Sequence, residues 1–182
     1  MNLRELPGRL KQRFPPWNEI LAVYAFIVFA VFSWDIYTFL YYVPSRLLNV
    51  GLGGILILFF FQMAFALLES LLVCALMLLL CFLLPGRWLR DSFGTSGFLI
   101  TVAGASLSLL SVRFTSYPLP PAFWAVIAAC VIVLLASIII LNKFPKIQKG
   151  LLSFVKRFGI FTYIYVPLGA IGILIFIARN LF

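Results

Sequence analysis

The chain contains no histidine and only five acidic residues among its 182, Glu5, Glu19, Asp35, Glu69 and Asp91. The missing histidine removes Ser–His nucleophile pairs, phosphohistidine chemistry and most metal sites. Five carboxylates scattered along the sequence do not make a general acid and base pair. No G-x-x-x-x-G-K-[ST] loop, G-x-G-x-x-G turn or acidic cluster is present, so nucleotide and magnesium chemistry lack their usual ligands. The three cysteines, Cys74, Cys81 and Cys130, have neither C-x-x-C spacing nor a histidine partner, which argues against a zinc site. Cys74 and Cys81 stand two turns apart on one helix, too far for a disulfide. No enzyme activity, metal or cofactor is expected.

Apolar residues are abundant. They make up 64% of the chain against 10% charged, with a mean hydropathy of +1.15, whereas a soluble domain is about 25% charged. No aqueous core could hide that much apolar surface, so the sequence predicts lipid as solvent. Hydrocarbon leaves helices or a closed barrel as the spanning structures. The runs are long and continuous, without alternation, and predict an all-α polytopic membrane protein of five transmembrane helices.

The predicted spans cover about residues 20–43, 55–84, 93–112, 122–141 and 159–178. The first is entered through Pro15 and Pro16, with Asn18 as the expected cap, and is closed by Pro44 and Ser45. It lacks a small-residue cleavage pattern and reads as a retained span. The second follows the glycine turn Gly51, Gly53 and Gly54 and ends at Pro85 and Gly86. Tyr117, Pro118, Leu119, Pro120 and Pro121 form a stiff connector before the fourth. Pro167, inside the fifth, leaves the carbonyl of Tyr163 without its helical donor and predicts a kink. Residues 1–18 form a basic amphipathic segment, and 19–182 a single transmembrane domain.

A net charge of +9 would point to nucleic acid in a soluble protein. Here the basic residues flank apolar runs, so nucleic acid is not an expected partner. With the N-terminus in the cytoplasm, eleven Lys and Arg fall on the inner side and three, Arg46, Arg113 and Arg179, on the outer. The positive-inside rule therefore predicts a cytoplasmic N-terminus and an extracytoplasmic C-terminus in a bacterial cytoplasmic membrane.

Leu151, Phe154, Val155 and Phe158 recur at helical spacing, with Lys146, Lys149, Lys156 and Arg157 close by. This predicts a short helix lying at the headgroup level. Leu6, Leu10 and Phe14 opposite Arg9, Lys11 and Arg13 predict a second. Both segments are expected to contact anionic lipid, at about 1 kcal/mol per basic residue.

The third span carries a stripe of small residues, Gly94, Gly97, Thr101, Gly104, Ser108 and Ser111, and the fourth a looser one, Ala122, Ala125, Ala129 and Ala136. Such stripes let backbones approach. The third span is therefore expected inside the bundle against the fourth, with Gly104 near the centre of the seam.

Glu69 lies near the middle of the longest apolar run, where a carboxylate is expensive. Gln62 is two turns away on the same side, with Ala66 between, and this face is expected to turn inward. There the Glu69 carboxyl would carry its proton and donate to Thr101, Ser106 or Ser108 on the third span. Two roles are open: a proton- or cation-linked site, or a structural interhelical hydrogen bond. Asp35 sits in the outer part of the first span and is expected to pair with Arg46 or Arg113.

Five spans with an extracytoplasmic end resemble, in order of elements, the membrane portion that precedes the sulfatase-like domain of lipoteichoic acid synthase. No shared motif accompanies the resemblance, and it implies no active site for these residues. The sequence thus points to a non-enzymatic subunit, anchor or scaffold of a membrane complex, with a protein partner or a second copy of itself. A small transporter component using Glu69 and Gln62, or a lipid-handling protein, is the alternative.

Overall fold

A computed structural model describes residues 15–48, 50–83, 93–111 and 121–181. Six helices follow one another: α1 (Trp17–Leu47), α2 (Leu52–Leu83), α3 (Phe93–Ser111), α4 (Pro121–Lys143), α5 (Pro145–Lys156) and α6 (Gly159–Leu181). Of the described residues 94% are helical and none forms a strand. Five segments are long and apolar enough to cross a membrane: α1, α2, most of α3, most of α4, and Pro145–Arg179, which takes in α5 and most of α6. The expected spans therefore exist as helices.

Their ends differ from expectation in instructive ways. Helix α1 starts three residues early because the Pro16 carbonyl, not the Asn18 side chain, takes the first bonds, from the N–H groups of Glu19 at 2.9 Å and Ile20 at 3.2 Å. Asn18 is exposed. At the other end the helix runs through Pro44 to Leu47. Proline in a last turn removes one donor only, and the Ser45 hydroxyl donates to the Tyr42 carbonyl at 2.9 Å, satisfying one of the end carbonyls. Helix α6 likewise continues through Pro167. Helix α2 begins just after Gly51, whose carbonyl accepts from the N–H of Ile55.

The chain divides into two compact units. The first holds the start of α1 to Val23, the end of α2 from Met77, then α3, α4 and α5 to Val155. Its organising feature is the start of α3. Phe93, Gly94, Thr95, Ser96 and Gly97 are all buried. The Glu19 carboxylate of α1 accepts the Gly94 N–H at 2.8 Å, placing a negative charge at the positive end of another helix. A Cβ at Gly97 would meet the Val23 methyls at 2.9 Å, and one at Gly94 would meet the Leu152 side chain of α5. Phe154 stands edge-on to Phe98, with ring centroids 6.3 Å apart, and Val155 is fully buried. Part of the apolar face of α5 thus packs on protein, while Ile147 and Phe154 remain partly exposed. Lys146, Lys149, Lys156 and Arg157 are exposed.

Helices α3 and α4 pack together as expected, but the seam is not the expected one. Gly104 and Ser108 are exposed, and a Cβ at Gly104 would meet nothing within 4 Å. Ala125, Ala129 and Ala136 of α4 are also exposed, and the side chains of Ser111 and Ala122 lie outside those described. The stripe closes only from Gly94 to Thr101, where α1 and α5 supply surfaces for it to meet. Small residues permit close approach without driving it.

The second unit holds α1 from Tyr24, α2 to Leu76, and α6. Val28, Phe32, Met63, Ala66 and Leu67 form its core, with Tyr165 and Leu168 of α6 packed against them. Phe32 stacks on Tyr165 with ring centroids 5.0 Å apart and planes within 6°. Gly169 and Gly172 of α6 press on the backbone of α2. A Cβ at Gly169 would stand 3.0 Å from the Met63 carbonyl, and one at Gly172 would collide with the Phe60 carbonyl and reach the Ala64 nitrogen at 2.9 Å.

Backbone cannot yield as a side-chain tip can. Gly172→Leu is expected to lower thermal stability in detergent by at least about 2 kcal/mol, whereas Gly104→Leu should change it by no more than about 0.5 kcal/mol. Melting both variants beside the wild type checks this, and equal losses would refute the assignment of the seam.

Candidate functional site

The polar groups of the second unit gather between α1 and α2. Gln62 is half-buried on α2, and its amide nitrogen donates to the Asp35 backbone carbonyl at 2.9 Å. It is also hydrogen-bonded to the Asp35 carboxyl group. One turn of α2 beyond Ala66, Glu69 interacts electrostatically with Asp35 as a like charge. Next to it, Ser70 is fully buried and donates to the Leu67 carbonyl at 2.8 Å. The Ser70 side chain is also hydrogen-bonded to the Tyr24 hydroxyl, and Cys74 lies a turn further on beside the same ring.

Two of the expected placements fail. Glu69 is exposed, so the face from Gln62 to Glu69 does not turn inward as a whole. The reason is angular. Ala66 and Ser70 point at the core, and residues seven apart drift by about 20° around a helix axis, enough to carry Glu69 out to the rim among Phe65, Leu68 and Leu72, which are themselves exposed. Thr101, the expected acceptor, gives its hydroxyl to the Gly97 carbonyl of its own helix at 2.8 Å, and Thr101 and Ser108 belong to the first unit.

The pairing of Asp35 with Arg46 is the second. Arg46 sits over the rings of Phe39 and Tyr42, 5.7 and 6.0 Å from their centroids, while Asp35 meets Gln62. A guanidinium held at aromatic faces gains cation–π attraction, and Asp35 lies three turns back along the helix. Arg113, Arg9, Lys11 and Arg13 lie outside the described residues.

Sequence reasoning missed three contacts: the Glu19 cap on Gly94, the Tyr24–Ser70 bond, and the close approach at Gly169 and Gly172. The last had a signal, two glycines three apart in an apolar span. The others had little, since a serine or a helix-initial glutamate does not name its partner. The Thr162 hydroxyl oxygen of α6 is buried without a hydrogen-bond partner among the described residues.

Among the described residues no three His, Cys, Asp or Glu side chains come together. The groups gathered between α1 and α2 offer hydrogen bonding and charge pairing. No protein-family model, curated protein or solved structure matches this chain. The likeness to the lipoteichoic acid synthase membrane portion rests on element order alone.

Two stability measurements test these assignments. A double-mutant cycle of Tyr24→Phe and Ser70→Ala in detergent should return a coupling of about 0.6 kcal/mol, and additive losses would show that the two hydroxyls do not interact. Thr162→Val, which removes an unsatisfied hydroxyl at nearly constant volume, should stabilise by about 1 kcal/mol. A loss of that size would mean the hydroxyl has a partner.

Proposed function

We propose that this chain is a multi-pass protein of a bacterial cytoplasmic membrane and serves there as a non-enzymatic subunit, anchor or scaffold of a larger complex. Five helices of spanning length and apolarity support the membrane setting. So do the large apolar side chains these helices expose, among them Leu68, Leu72 and Leu76 of α2, Val133, Ile139 and Ile140 of α4, and Leu174 of α6. The Lys and Arg count, eleven against three, supports a cytoplasmic N-terminus and an extracytoplasmic C-terminus. In that orientation the exposed Lys146, Lys149, Lys156 and Arg157 of the α5 region face the inner leaflet, where anionic headgroups attract them.

One observation carries the subunit reading. Glu69 stands exposed near the middle of a 32-residue apolar helix. A solitary chain would leave that carboxyl in hydrocarbon, and intramembrane carboxyls of that kind face a bundle interior, a cavity or another chain. The transporter reading requires Gln62 and Glu69 to share an interior face, and the Gln62 amide is instead committed to Asp35.

Topology and association are both measurable. Tags on the two termini should be accessible from opposite faces of the membrane. Extraction from native membranes in a mild detergent should give a species well above the mass of a 20.5 kDa chain in its micelle. Tags on one face would overturn the topology, and a monomer in every mild detergent would overturn the subunit reading.

A further inference from the structure

The surface around Glu69 says what kind of partner would cover it. Phe65, Leu68, Leu72 and Leu76 are exposed on the same side of α2 and give an apolar strip long enough for a second helix to lie along. Glu69 interrupts this strip with a carboxyl whose electrostatic neighbour among the described residues, Asp35, is another acid. The local field therefore favours a positive charge.

Among the described residues, none would bring one to the middle of a span from a second copy of this chain. The described basic residues stand at or beyond helix ends: Arg46 and Arg179 in last turns, Lys143 closing α4, Lys146, Lys149, Lys156 and Arg157 in and just after α5. Arg179 already lies over the Phe61 ring at 5.8 Å. Copies sharing one membrane orientation would set Glu69 against Glu69 across a two-fold axis, acid against acid.

We propose that the Glu69 strip of α2 docks a transmembrane helix of a different protein, one that carries a single Lys or Arg near the middle of its span. Both ions leave hydrocarbon together, and the leucines on either side seal the pair from lipid. This rests on the subunit reading and adds the chemistry of the partner.

The probe is a synthetic leucine span of about 21 residues with one central lysine, compared with an all-leucine span and a span with central aspartate. Each is labelled with an acceptor dye and reconstituted in phosphatidylcholine vesicles with the donor-labelled full chain. Energy transfer to the lysine span should report association roughly tenfold tighter than to the leucine span. Glu69→Leu should abolish the preference and Glu69→Gln should reduce it, while Asp35→Asn should keep most of it. Equal association of wild type with the lysine and leucine spans would overturn the proposal, a comparison that needs no variant to fold. So would a lysine preference unchanged in Glu69→Leu, or self-association of the full chain that disappears in Glu69→Leu.

Native membranes separate the two readings. A stable complex that survives Glu69→Leu intact would sink this docking assignment and leave the subunit reading standing. A monomer there that still prefers the lysine span in vesicles would do the reverse.

Discussion

A backbone N–H or C=O that water cannot reach must be bonded within the protein, and in the proposed membrane setting every spanning segment of this chain answers to that constraint. It explains why so little of the described chain is anything but helix. It also explains the habits of the hydroxyls. Thr38 donates to the Trp34 carbonyl, Thr101 to Gly97 and Ser137 to Val133, each one turn back along its own helix. The free N–H groups at a helix start are the weak point, and the start of α3 is buried. Glu19, reaching across from α1, accepts the Gly94 N–H there, and so ties the first unit together through a group that had to be bonded in any case.

Once the backbone is satisfied, something must still hold helices to one another, and lipid gives no hydrophobic reward for contact. Dispersion falls off within fractions of an ångström, so helices associate where side chains are small enough to let backbones meet or flat enough to stack. The second unit uses both. Gly169 and Gly172 bring α6 onto the α2 backbone, and Phe32 and Tyr165 stack beside them. The stripe continues through Gly104 and Ser108, which are small and yet stay exposed. Smallness is necessary for close packing and does not by itself produce it.

Helix number and extent were legible in the sequence because run length against a fixed hydrocarbon thickness is a one-dimensional property. The five expected spans match α1, α2, α3, α4 and α6 to within about four residues at each end, and the largest misfit falls at Pro44, which the helix runs through. The pattern at Leu151, Phe154 and Val155 was legible as a helix, whereas the burial of Val155 and the contact of Phe154 with Phe98 depend on three-dimensional placement. Contacts were much less legible. Which of two small stripes closes depends on what lies opposite, and that is set by three-dimensional placement. Gln62 was singled out correctly as a polar group in an apolar run, but its partner, the Asp35 carbonyl, is a backbone atom that no residue pattern marks.

Magnitudes bear on what Glu69 would gain from a hydrogen-bonding neighbour in the proposed membrane setting. A carboxylate near the centre of a span costs roughly 2.5–3.5 kcal/mol on insertion scales, while an interhelical hydrogen bond inside a membrane returns about 0.6 kcal/mol on average. A bond to one threonine or serine would therefore have covered a small part of the cost, even with the side chain turned inward. Asp35 meets the same arithmetic differently: it lies nearer the C-terminal end of its helix, a few residues before Tyr37, Tyr41 and Tyr42, and has the Gln62 amide on its carboxyl group. Glu69 has neither advantage, and it stands at the surface. An opposite charge brought up in the same low dielectric interacts far more strongly than a neutral hydroxyl. The group that is hardest to explain in the isolated chain is thus the one best suited to bind a cationic neighbour.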